Sequence, residues 1–267
     1  TIAKFLFTSG STKAPKGVVN THRMICANQQ QVRQCMAFLA EEPPVLIDWL
    51  PWHHTFGGNY NFNKQLNLRA YHSDVEDYWR KYYLGTTLSL PISEGLAATF
   101  DFNGYDTKSE GRQLGGILDN RIWSLSAALA AGPHTFTVAH QRVTGTGNYT
   151  YGVDGNSTVF LANSVQYSDF NYENERSWQA RYDFNFAGVG IPGLSFMGRY
   201  LRGTDFHTAQ TDNGRAWERD LELKYVVQSG SAKDLSFRIR QASFRSPDRG
   251  LNFNEVRVIT EYPINIF

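Results

Sequence analysis

The chain has 267 residues, 26 Lys and Arg against 25 Asp and Glu, and a formal net charge of +1, which excludes a nucleic-acid grip made by bulk positive charge. Hydrophobic residues make up 41%, yet no run of about 18 apolar residues occurs, so no membrane-spanning helix is expected. The only cysteines, Cys26 and Cys35, lie near the start, so no disulfide is expected beyond them, and no Cys/His spacing suggests a metal site.

The chain opens TIAKFLFTSG, with no basic start and no apolar core region, so no cleavable signal peptide is expected. Phe5–Phe7 reads as a short apolar strand. It runs into a stretch rich in small hydroxyl residues and glycine, Thr8, Ser9, Gly10, Ser11 and Thr12, followed by Lys16 and Gly17. Such a stretch lets backbone N–H groups approach an anion, and Lys16 adds a point charge. Thr21 is placed to cap a helix from His22 to about Phe38. Val45–Leu50 then reads as a buried strand before the turn-rich PWHHTFGG.

This segment resembles the adenylate-forming enzymes of the acyl-CoA synthetase and ligase superfamily, most closely the feruloyl-CoA ligase type. Thr8 to Gly17 matches the family's phosphate loop, with Lys13 where glycine is usual. Pro51, His54 and Gly57 match its second motif, whose histidine lies beside the acyl pocket. The resemblance implies ATP and Mg²⁺ as cofactors. The family's adenine-binding stretch, acidic metal ligand, ribose-binding aspartate and late lysine have no match after Asn63, so no working ATP site and no cofactor are expected. Residues 1–62 are therefore read as a short α/β fragment of an AMP-binding domain.

From about Gln65 the pattern changes to period two, which puts apolar groups on one face of a strand and polar groups on the other. Tyr82, Leu84, Leu88 and Leu90 alternate with Lys81, Tyr83, Thr87 and Ser89. The same holds for Leu96–Phe102, Trp123–Leu129, Trp178–Phe186, Leu194–Tyr200 and Trp217–Val227, and for a closing hairpin. In that hairpin Leu235, Phe237 and Ile239 oppose Ser236, Arg238 and Arg240, and Val256 and Val258 oppose Glu255 and Arg257. The expected architecture is mainly β: a partial antiparallel transmembrane β-barrel of about ten strands, each roughly ten residues long, the length a tilted strand needs to cross a bilayer. Connections are expected to be short at one end (residues 91–95, 131–133, 187–193, 228–234) and long at the other (106–118, 145–176, 203–216), as in outer-membrane barrels.

Residues 65–267 resemble the C-terminal part of an OprD-type outer-membrane porin of pseudomonads, in VEDYWRKYYLG at Val75–Gly85, DLSFRIRQASFR at Asp234–Arg245 and NEVRVITEYPINIF at Asn254–Phe267. The resemblance implies passive, substrate-specific uptake of small carboxylates, aromatic acids among them. It also implies an outer-membrane location, contact with membrane lipid, and a terminal aromatic read by the barrel-assembly machinery. The absent signal peptide would leave the literal product in the cytoplasm. Arg181, Arg199, Arg238, Arg240 and Arg257 are expected to face the lumen, where polar side chains decide what passes. The planar fork of arginine suits carboxylate capture, and the family uses a ladder of lumen arginines, a role these positions could fill. Equally, they could pair with Glu218, Glu222, Glu255 and Glu261 and serve as salt-bridged wall. No Ser/His/Asp set or close carboxylate pair points to catalysis. Besides the channel, two readings stand open: an adenylate-forming ligase on the N-terminal motif alone, and a fusion with neither activity.

Overall fold

The computed structural model describes residues 2–8, 16–21, 58–61, 65–150 and 160–263, the first three stretches as backbone only. Strands β1 (Ile2–Thr8) and β2 (Lys16–Thr21) form an antiparallel hairpin in which Thr8 lies opposite Lys16 and Phe7 opposite Gly17. The ends of the expected phosphate loop are thus neighbours. Ser9 to Thr12, the helix expected over 22–38, the strand expected over 45–50, and His54 lie outside the described residues.

The remaining strands form one sheet in chain order: β3 (Gly58–Asn61), β4 (Leu66–Val75), β5 (Trp79–Ser93), β6 (Leu96–Ser109), β7 (Asp119–Ala131), β8 (His134–Thr146), β9 (Arg176–Asn185), β10 (Leu194–Phe206), β11 (Gly214–Val226), β12 (Ser236–Ser246) and β13 (Leu251–Glu261). Each pairs antiparallel with the next. The ten expected strands are β4 to β13, at 10 to 15 residues each. The short β3 adds an eleventh and carries the sheet back past the boundary expected near residue 63. No pairing joins β3 to β13 among the described residues, so the sheet has two edges.

The period-two pattern decides the faces. Val256 and Val258 are 66% and 75% exposed, and Phe237, Ile239, Phe136, Val138 and Leu223 project from the same side. On the other side lie Asn103, Asn120, Ser124, Gln141, Ser177, Gln179, Glu218 and Asp220, all buried. Apolar groups bare to the surroundings and polar groups covered is the inverse of a water-soluble sandwich and the arrangement of a lipid-facing wall. Trp123, Trp178 and Trp217 sit on the apolar side toward one end, Tyr225 and Phe237 opposite one another toward the other, as interfacial anchors would.

The connections differ in part from expectation. Glu94–Gly95 and Gly132–Pro133 are two-residue turns, with Gly95 and Gly132 at φ 71° and 57°. At the other end 147–175 is long, 110–118 and 207–213 are intermediate, and 76–78 and 247–250 are tight. The turn at 186–193 is lengthened by a 3-10 turn, Phe186–Val189, capped by the Asn185 side chain accepting from the Ala187 N–H.

These faces predict an asymmetric response to charge. Leu221, on the exposed apolar side about midway along β11, should tolerate arginine poorly: Leu221→Arg is expected to cost about 2–4 kcal/mol of stability in a bilayer. Ser195→Arg, on the opposite face of β10, should cost about 1 kcal/mol or less, since surface changes without a specific lesion are small. Denaturant titration of the lipid-inserted full chain measures both.

Candidate pore lining

The covered face owes its cover to residues 147–150 and 160–175, described parts of the connection from β8 to β9, which lie against that face. Two apolar feet hold it. Phe170 packs with Leu201, Phe206, Ala216 and Phe244, while Tyr149 and Leu161 pack with Ile122 and Val143. Leu201 and Ala216 occupy the polar-face positions of β10 and β11, so that face is not polar throughout; its apolar patches are the footprints of the loop. Gly203 permits the closeness, because a Cβ there would lie 2.2 Å from Glu175 Oε1 and 2.7 Å from Phe170 Cδ1. Phe170 itself sits at φ 47°, a conformation a bulky residue holds only when its surroundings enforce it.

Between the feet the strands satisfy the loop's backbone. Gln141 donates to the Asp169 and Phe170 carbonyls, both at 2.8 Å, and accepts from the Asn163 N–H at 3.1 Å. Ser124 accepts from Ala162 N–H, and Gln179 donates to Ala162 O at 2.9 Å. The Tyr167 and Ser168 N–H groups donate to the two oxygens of Glu218, each at 2.8 Å. Lys81 reaches Thr150 O on one side of the sheet, and Arg257 reaches Gln166 O at 3.4 Å on the other. A buried loop must pair its backbone groups somewhere, and these side chains are where they go. The sequence alone does not single out Gln141, Gln179 or Lys81, nor Asn163 of the connection itself, and it points to Glu218 as an arginine partner. The strand residues among them are marked only by their place in the covered rows, and nothing local names what they hold.

The five arginines lie on this face toward the other end. Arg181 is directly opposite Arg199, and Arg240 opposite Arg257. Like charges so placed repel, and each has a carboxylate beside it. Asp183 takes two hydrogen bonds from Arg181, both at 2.7 Å; Asp220 takes one from Arg199 at 2.6 Å. Glu222 receives Arg240 and lies 3.8 Å from Arg238, which also meets Glu261 at 3.4 Å. Glu255 receives Arg257, with one contact at 2.8 Å. Of the four glutamates expected as partners, Glu222, Glu255 and Glu261 pair so, and Asp183 and Asp220 join them. A recess of about 700 Å³ lies at Arg181, bounded by Asp183, Met197, Glu222 and Lys224. A guanidinium carries five donors, so Arg181, with two engaged by Asp183, keeps an edge for an incoming anion. Among the described residues no group of His, Cys, Asp and Glu could hold a metal ion.

A second cluster covers the face near β4 to β6. Tyr83 stacks on Tyr71 at 5.2 Å, Tyr105 lies 4.7 Å from Tyr83, and Phe160 of the loop lies 5.2 Å from Tyr83. Arg69, paired to Asp101 at 2.9 Å, stands over Phe160 at 5.4 Å.

Comparison with known proteins bears on this geometry. A family profile described as outer membrane porin, OprD family, matches residues 28–266. Porin D of Pseudomonas aeruginosa is 46% identical over 233 residues, covering 79% of this chain and 52% of that protein. The crystal structure of the outer membrane protein OprD from the same organism superposes with a TM-score of 0.73 at 45% identity, over 78% of this chain and 58% of that one. The chain thus spans about half the length of the curated porins it matches. A medium-chain-fatty-acid–[acyl-carrier-protein] ligase of Teredinibacter turnerae is 43% identical over 51 residues, 19% of this chain and 8% of that protein.

The base of the loop carries a pH-sensitive contact. Glu175 is buried, and burial pushes its carboxyl up to about 7, against the opposing pull of the Tyr172 N–H and of Arg249. The unfolded carboxyl loses its proton near 4.5, so the folded form holds a proton that the unfolded form has lost between those values. Stability is greatest below about 4.5 and falls as pH rises through about 7, by about 3 kcal/mol in all. Proteolysis of the 147–175 segment should therefore quicken between pH 5 and 8, and Glu175→Gln should flatten that profile.

Proposed function

The chain belongs to the OprD family of outer membrane porins, and from that premise we propose that β4 to β13 form the later part of a channel wall for the passive uptake of small carboxylates, aromatic acids among them. The observation that carries this reading is the cluster of Arg181, Arg199, Arg238, Arg240 and Arg257 on the loop-covered face. In this reading the cluster serves both as wall and as ladder: each carboxylate partner fixes a guanidinium in place, and the unused donors present a row of anion contacts along the solute's path. The loop 147–175 narrows the passage. Membrane lipid contacts the apolar face, and the barrel-assembly machinery inserts the strands. The two edges at β3 and β13 require further strands before the wall closes, since an unpaired edge is not tolerated in lipid.

Residues 1–62 are, in this proposal, a separate piece derived from an adenylate-forming ligase, supported by the Thr8–Gly17 and Pro51–Gly57 motifs and by the short ligase match. The porin profile, which begins at residue 28, overlaps this stretch. The ligase motifs downstream of His54 have no counterpart, and the segment is assigned no activity.

Two measurements follow. In liposomes carrying a complete barrel whose later strands are β4 to β13 of this chain, benzoate uptake should fall at least about tenfold on Arg238→Gln with Arg240→Gln, from the loss of charge-assisted contacts worth about 1.5–3 kcal/mol each. Uptake of an uncharged pentose should change little; an equal loss of both would sink the carboxylate reading. Pyrophosphate release from ATP with ferulate should not exceed that of a Lys16→Ala control.

A further inference from the structure

The outward face carries a group of cations that the channel does not use. Arg142, Arg176, Arg202, Arg215, Arg219 and Arg245 all sit at outward positions of β8 to β12, toward the end from which 147–175 departs. Arg142 is directly opposite Arg176, a like-charge pair that costs stability unless something neutralises it. Carboxylates beside the group are two. Asp205 meets Arg176 at 3.3 Å, and Asp248 accepts the backbone N–H of Arg215 rather than its side chain. Among the described residues the exposed side chain of Arg202 has no hydrogen bond or ion pair.

Tryptophans run through the same rows. Arg202 lies opposite Trp178 on one side and Trp217 on the other, and Arg142 lies opposite Trp123. Trp178 is 62% exposed, and Arg245 stands over Trp217 at 5.7 Å. Below these rows come Val138, Ala180 and Tyr200, and then the apolar band. Interfacial tryptophans mark the depth of the headgroups, so Arg142, Arg176, Arg202, Arg215 and Arg245 stand at or just above that depth, facing outward, while Arg219, opposite Tyr200, stands one step below it.

We propose that this patch on β8 to β12 binds the phosphate-bearing headgroups of membrane lipids at the rim of the barrel. A phosphate offers several acceptor oxygens that pair with guanidinium forks, and one phosphate near the Arg142–Arg176 pair relieves the repulsion between them. The occupant is a lipid because the patch is continuous with the lipid-facing band and turned away from the loop-covered lumen. The proposal rests on the outer-membrane reading of the family.

The test uses the full chain in phosphatidylcholine bilayers, titrated with brominated-chain phosphatidate or brominated-chain phosphatidylcholine, with quenching of tryptophan fluorescence giving relative lipid affinity. Phosphatidate should be preferred. An arginine beside an anionic headgroup is worth about fivefold, so Arg202→Gln should lower that preference about fivefold, and Arg142→Gln, Arg176→Gln and Arg202→Gln together about a hundredfold. Lys233→Gln, in the turn at the opposite end, should leave it unchanged. Arg202 has no partner to strand, so its substitution tests the patch even where the triple variant fails to fold. Equal quenching by both lipids, or an equal effect of Lys233→Gln, overturns the patch while leaving the membrane reading intact. Displacement by inorganic phosphate at matched ionic strength overturns it in favour of a free-anion site.

Discussion

The structure depends on one long-range contact: the seating of residues 147–150 and 160–175 on the inner face of the sheet. A wall of polar strands has no core of its own, because its apolar side faces outward. The loop supplies what is missing. Phe170 and Leu161 bring apolar groups to the inside, and Leu201, Ala216, Ile122 and Val143 receive them. Buried apolar side chains of this size contribute about 1.5–3 kcal/mol each relative to exposure. The polar side chains between the two feet add little net energy when paired but would cost about 1–3 kcal/mol each if left unpaired. The loop therefore has few alternative seats, since a shift that kept one foot would strand Glu218 or Gln141.

The same accounting explains the arginine cluster. Asp220 is fully buried and Arg199 nearly so. A buried pair of this kind is weak evidence of net stabilisation, because desolvation offsets the Coulomb gain, but removing one partner leaves an uncompensated charge. Its value lies in position. With carboxylates set among the guanidiniums, two opposed arginine pairs stand on adjoining strands without forcing them apart, and each fork is held in one orientation. In the proposed channel, a passing anion would meet donors that are already ordered and would give up less entropy on contact. Weak, repeated contacts suit a conduit better than one tight site, because an ion must leave as readily as it enters.

Inside and outside use arginine differently. The inner set has a carboxylate for every guanidinium, whereas the outer set at β8 to β12 has fewer carboxylates than arginines and tryptophans among them. In the proposed lipid site, the neutralisation that Asp205 does not supply would come from headgroup phosphates beyond the sheet. The β-strand makes this division by itself, since one residue's step along the chain carries a side chain from one environment to the other.

That step is also why much of the molecule was legible in the sequence. The alternation of Phe237 and Ile239 with Arg238 and Arg240, repeated across ten strands, determined the strands, their faces and the placement of the five arginines, because period two is a property of the local backbone and needs no distant partner. The short β3 escaped notice because four residues are too few to show a period, and its pairing with β4 comes from the sheet. The role of Glu218 was not legible either. Its partners, Tyr167 and Ser168, lie 51 and 50 residues away along the chain; nothing near Glu218 distinguishes a carboxylate that caps a loop from one that pairs with arginine. The apolar residues on the inner face, Leu201 and Phe244, read as breaks in a polar row until the loop that covers them is in place. By itself the sequence determined which way each side chain points. The tertiary structure decided what each one meets, because that depends on a loop whose contacts with the strands join residues far apart along the chain.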